Sequence, residues 1–175
     1  MSSLHRVVLF AFLVGGTSTS PASAKDCMEA SDAPIPDVEI QSFDKAPPEV
    51  AQWLGHFKGA WYSRGEVALC QRLIIYRIDA KENGEDYAVR TKYSHGVYPA
   101  WRIAEPNVYD WHGKLNDRGE LTLKWKTETG WSRIATYRIQ DANSLSGTFA
   151  WGKGDEPHNG WSIVNTAPTN LMRQD

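Results

Sequence analysis

The sequence predicts an all-β domain: an antiparallel up-and-down meander of eight or nine strands behind a short helical turn. Three observations predict it. From Phe57 onward, turn-forming residues recur about every 10–13 positions, the spacing of a β-sandwich or barrel. The stretches between them alternate apolar and polar residues, as strands with one face to water do. The connections are short, which favours each strand pairing with the next.

Taken in order, the chain opens with Arg6, the apolar run from Val7 to Val14, and small residues ending in Ala22-Ser23-Ala24. That basic, apolar, Ala-x-Ala order is a secretory signal peptide over residues 1–24. The apolar run falls short of the ~20 residues needed to span a bilayer, so no membrane insertion is expected. The mature protein is expected in a periplasm or outside the cell. Residues 25–47 hold Pro34, Pro36 and Pro47 among Asp, Glu and Ser, and read as an extended or disordered leader draped on the surface. Pro48-Glu49 followed by Val50, Trp53, Leu54 and Gly55 reads as a single helical turn. The barrel domain is expected over 48–167, with 168–175 as a C-terminal tail.

Within the domain the turn signals are Asn83-Gly84, Gly96 with Pro99, Pro106-Asn107, Asn116 to Gly119, Thr129-Gly130, Asp141 to Asn143, and a loop from Gly152 to Gly160. Asn83-Gly84 is the strongest hairpin signal, since both residues tolerate positive φ. Tyr87, Val89, Thr91 and Tyr93 share one face; Leu121, Leu123 and Trp125 share another; so do Ala135, Tyr137 and Ile139, and Leu145, Gly147, Phe149 and Trp151. Sandwich and closed barrel both fit these strands. Closure removes exposed edges and favours the barrel. An immunoglobulin-type sandwich is disfavoured because Cys27 lies in the leader and not on a core strand.

Composition narrows the function. The formal charge is −2, falling to about −3 once Arg6 is removed, and no basic run is present. Nucleic-acid binding is therefore not expected. Two cysteines in an exported chain point to one disulfide, Cys27–Cys70, stapling the leader to a strand. Two distant cysteines and the scattered His56, His95, His112 and His158 have no metal-ligand spacing, so neither metal nor cofactor is expected.

The segment Pro48 to Tyr62 resembles the opening of the calycin barrels, the lipocalins and avidins. There a short helical turn precedes a first strand bearing Gly-x-Trp; here the residues are Gly59-Ala60-Trp61. The later rhythm of a long strand, an Asn-Gly hairpin and short alternating strands is similar to small bacterial calycin-like modules, over most of residues 48–165. The resemblance implies a calycin-like barrel with Trp61 as a structural plug in its floor. It finds no counterpart of the lipocalin arginine that packs on that Trp from the final strand; the nearest, Arg173, lies well past it. The avidin biotin contacts have no matching residues, so biotin binding is not implied.

Eight Trp and seven Tyr, all after residue 24, are the conspicuous chemistry. Aromatic faces bind flat rings, sugars and aliphatic groups. Trp53, Trp61 and Trp125 read as core. Trp101, Trp111, Trp131, Trp151 and Trp161, with Tyr109, lie beside turns, where barrel mouths sit, and are the candidate ligand contacts. Asp110 and His112 share a strand face and are weak candidates for an acid–base pair, against the plainer reading of two solvated outer residues. Arg72 lies in the row Cys70, Ile74, Tyr76, Ile78; were it inside, it would need a carboxylate or a ligand anion, and the outward reading is favoured. The function expected is an exported, non-enzymatic binding protein for a small apolar or aromatic molecule or a saccharide. An interaction or inhibitor module with a packed barrel is the alternative, and a small hydrolase or isomerase using Asp110 and His112 comes third.

Overall fold

The computed structural model describes residues 24–41, 46–63, 66–81, 86–154 and 162–174. The strands are β1 (Gly55–Ser63), β2 (Glu66–Asp79), β3 (Tyr87–His95), β4 (Asn107–Leu115), β5 (Glu120–Lys126), β6 (Trp131–Asp141), β7 (Ser144–Lys153) and β8 (Ser162–Gln174). Each pairs antiparallel with the next, and β8 returns to β1, closing an eight-stranded barrel. The meander and its closure are as the sequence predicts. Asn83-Gly84 and residues 1–23 of the expected signal peptide lie outside the described residues.

Alternation along each strand sorts side chains into an inner and an outer set. Val89 and Thr91 on β3, Leu121 and Leu123 on β5, Ala135 and Tyr137 on β6 and Leu145 on β7 are buried inside, as their spacing predicts. On β2 the expected row breaks. A bulge between Ile75 and Arg77 shifts the register by one residue, so Ile78 turns inward and joins the core while Cys70, Arg72 and Ile74 remain outside. Where β1 crosses β8 the backbones approach closely: a Cβ on Gly59 would collide with the Asn170 carbonyl, so only glycine fits there.

One end of the barrel is sealed. The helical turn α2 (Pro48–Ala51) follows α1 (Ala24–Glu29), with Pro48 in its first turn, where a missing N–H costs nothing. It buries Val50 and Trp53 in the same core as Phe57. Residues 168–174, expected as a tail, instead form the second half of β8 and complete the closure against β1. β8 thereby carries Arg173 to the sealed end of the barrel. Its guanidinium lies 4.7 Å over the Phe57 ring and donates to the carbonyls of Leu54 and Gln52. Arginine thus ties the end of the last strand to the turn that precedes the first. The floor is closed by Trp53, Phe57 and Arg173; Trp61, expected as its plug, stands further up the barrel.

The leader is draped on the barrel, not loose. The Cys27–Cys70 disulfide, with Cα atoms 5.1 Å apart, fixes its start to β2. Beyond it, Arg72 donates to the Ala33 carbonyl at 3.0 Å, Ser94 to the Pro34 carbonyl at 2.6 Å, and the Gln41 amide to the Tyr76 carbonyl at 2.7 Å. This strap covers part of the outer face of β2 and β3, and Cys27, Ala33, Ala60, Val67 and Cys70 form a small second core beneath it. Arg72 therefore faces outward, as favoured, but is half-buried under the strap. Loss of water there lowers its pKa.

Candidate functional site

In an up-and-down barrel all odd-numbered strands run the same way, so their C-terminal ends gather at one rim. In this chain those ends carry the rings: Trp61 on β1, Tyr93 and His95 on β3, Trp125 on β5, Phe149 and Trp151 on β7. Tyr109 and Trp111, at the N-terminal end of β4, reach the same rim from the opposite chain direction. Above the floor of Trp53 and Phe57 the sealed half is filled mainly by aliphatic residues, and aromatic ones dominate the other half. The rings at this end surround a gap.

The gap is a cavity of about 570 Å³. Its wall is a chain of ring contacts. Tyr93 stacks on Trp111 at 4.0 Å, and Trp111 stacks on Trp125 at 3.8 Å. Trp125 meets Phe149 at 5.6 Å, Phe149 meets Trp151 at 5.1 Å, and Trp151 meets Trp101 at 5.6 Å. Trp61 stands at the base, 5.3 Å from Phe149, and its indole N–H donates to the Tyr93 hydroxyl at 2.9 Å.

Trp101 comes from the β3–β4 connection, which forms a lid. Tyr98 and Ile103 pair as an isolated bridge around a short 3-10 helix, Pro99–Trp101. The turn closes through Arg102, which takes the left-handed conformation at φ 60°, a strained choice for a residue with a Cβ. The base of the lid is pinned on two sides: the Val97 amide donates to the Asp32 carboxylate of the strap at 2.8 Å, and the Gly96 amide to the Cys70 carbonyl of β2 at 3.0 Å.

Polar groups are few and placed near the mouth. His95 Nδ1 is 2.8 Å from the Gly96 carbonyl, which can only accept, so Nδ1 carries the proton. Nε2 then faces the Tyr109 hydroxyl at 3.4 Å, and Asn107 donates to that hydroxyl at 3.2 Å. Arg133, Arg102 and Glu105 complete the polar lining. Deeper in, burial pushes the Tyr93 phenol well above its ordinary pKa, and the Trp61 N–H and the Arg133 charge only partly offset this. Below lies Tyr137, fully buried, its hydroxyl without a hydrogen-bond partner among the described residues.

Of the residues singled out from sequence, Trp101, Trp111, Trp151 and Tyr109 line the cavity. Trp131 opens β6 half-buried and is not part of the lining, and Trp161 lies outside the described residues. Trp61 is buried in the core, as read, and also borders the cavity; Trp125, assigned to the core, is half-buried and lines it. His95, Tyr93, Phe149 and Arg133 were missed. The signal that finds them is their place at the rim-side ends of inward-facing rows. Asp110 and His112 are both exposed on the outer wall, and Asp110 is paired with Lys92 at 2.7 Å. They share a face, as read, but that face is turned away from the cavity.

Among the described residues no helix is long and apolar enough to cross a membrane. No protein-family model matches this chain, and no curated protein matches it in sequence.

Proposed function

We propose that the protein is an exported, non-enzymatic binding protein of calycin-like build, holding a small apolar or aromatic molecule or a saccharide in the ring-lined mouth of its barrel. The observation that carries this reading is the unbroken series of aromatic contacts around a cavity of about 570 Å³. Pockets of roughly 300–1,000 Å³, mostly apolar with a few fixed polar groups, are the usual dimensions of small-molecule sites. An interaction module with a packed barrel has no use for such a space. A hydrolase using Asp110 and His112 would need both inside it. Arg173 across Phe57 is similar to the floor closure of the calycins, which supports the calycin-like assignment. The disulfide and the N-terminal signal pattern support export.

Tryptophan emission provides the test. A bound ligand that displaces water from Trp101 and Trp151 quenches or blue-shifts the spectrum, and Trp151→Ala or Trp101→Ala removes that response while the fold survives. Emission unchanged across lipid, saccharide and aromatic panels refutes the proposal.

A further inference from the structure

The cavity wall contains one feature that rings alone do not explain. Arg133 stands on the inner face of β6, with Trp125 as its cross-strand partner on β5 and Trp151 as its partner on β7. Both tryptophans line the cavity, and so does Arg133. Other arginines of the barrel are engaged: Arg173 by backbone carbonyls and the Phe57 ring, Arg138 by Glu120, and Arg77 by Asp79. Arg133 has no carboxylate, carbonyl or ring partner among the described residues. The remaining charges on the lining, Arg102 and Glu105, are exposed on the lid and opposite in sign. The barrel wall itself therefore presents one uncompensated positive charge between two indoles.

We infer that Arg133 is an anion-binding residue and that the ligand of this cavity is a flat apolar ring bearing a carboxylate, sulfonate or similar anionic group. This inference rests on the ring-binding role proposed above and narrows its ligand class. Arg133 is exposed, a setting in which water solvates a guanidinium. A neutral ring seated against Trp125 and Trp151 would strip that water and return nothing, leaving a cation desolvated and unpaired. An anionic group returns two acceptor oxygens matched to the planar fork of the guanidinium. Uncharged sugars cannot supply that countercharge. The anionic group sits at Arg133, and the ring lies against the indoles that flank it.

Two fluorescent probes of the same ring skeleton separate the contributions: anilinonaphthalene sulfonate, and phenylnaphthylamine, which lacks the sulfonate. Both are titrated against the disulfide-bonded protein without its signal segment, and against Arg133→Gln, Arg133→Lys and Trp151→Ala. The wild-type protein is expected to bind the sulfonate probe about tenfold more tightly than the neutral one, the scale of a hydrogen-bonded charge contact. Arg133→Gln abolishes the difference, weakening the sulfonate probe while the neutral probe, no longer stripping water from a cation, binds as well or better, and Arg133→Lys retains part of it. Added salt weakens only the sulfonate probe, a comparison that needs no variant. Equal affinity for the two probes, or a preference that persists in Arg133→Gln, overturns the anion assignment while the cavity stands as a ring site, provided Trp151→Ala weakens both. If neither probe binds, or both bind Trp151→Ala undiminished, the ring-binding role falls and the anion site with it.

Discussion

Cys27→Ala combined with Cys70→Ala tests how the strap, the barrel and the lid depend on one another. The bridge closes a loop spanning 43 positions. Releasing that constraint on the unfolded chain costs about 4 kcal/mol on the chain-entropy estimate. The loop includes all of β1, which pairs with both β2 and β8, so the cost falls on the whole barrel and not on the strap alone. For a domain of this size each kcal/mol moves the melting temperature by roughly 2–4 °C, so the double variant should melt about 10 °C lower. A local effect accompanies the global one. Without its anchor the strap is held to the barrel by Arg72 to Ala33, Ser94 to Pro34 and Gln41 to Tyr76, and it reaches the lid through Asp32 to Val97. The amides of Gly96 and Val97 should then exchange with solvent faster than those in the middle of β5. Circular dichroism melts with and without reductant read the first effect, and amide exchange reads the second. A melting temperature within about 2 °C of wild type would refute the coupling of strap to barrel.

Three further outcomes concern Arg173 and the buried tyrosines. Arg173→Ala removes donors to the carbonyls of Gln52, Leu54 and Ala142 and the contact with Phe57; being partly exposed, it should cost about 2–3 kcal/mol in chemical denaturation, and a loss under about 0.5 kcal/mol would deny it a role in the floor. Burial raises the phenol pKa of both Tyr93 and Tyr137. Unfolded tyrosines ionise near pH 10, so stability is undiminished below that pH and falls above it by about 1.4 kcal/mol per pH unit for each phenol that the native state keeps protonated. Because its hydroxyl is unpartnered, Tyr137→Phe should hold or raise stability by up to about 1 kcal/mol and halve that alkaline slope. Denaturation midpoints between pH 9 and about pH 11 measure both effects.

Much of the barrel is legible in residues that repeat with period two. Leu121, Leu123 and Trp125, or Leu145, Gly147, Phe149 and Trp151, can alternate as they do only in a strand with a buried face. The β2 bulge was not legible: Cys70, Arg72, Ile74, Tyr76 and Ile78 look like one row, and only pairing with β3 reveals that Ile78 has crossed to the other side. Arg173 was hidden for a related reason. The stretch 168–175 is polar enough to pass for a tail, and the need of β1 for a partner is what makes its residues up to Gln174 a strand.

The site divides in the same way. Sequence pointed to Trp101, Trp111, Trp151 and Tyr109 because turns flank them and to Trp61 as core, where it is buried, yet it placed Trp125 in the core and weighed Arg72 in place of Arg133 as the arginine of interest. Composition and periodicity specify which residues leave water, because that choice depends on neighbours one or two positions away along the chain. Which buried residues meet at the rim, and which arginine stands among them unpaired, is settled by strand direction and register around a closed ring. Those are properties of contacts between segments dozens of residues apart, and no local pattern encodes them.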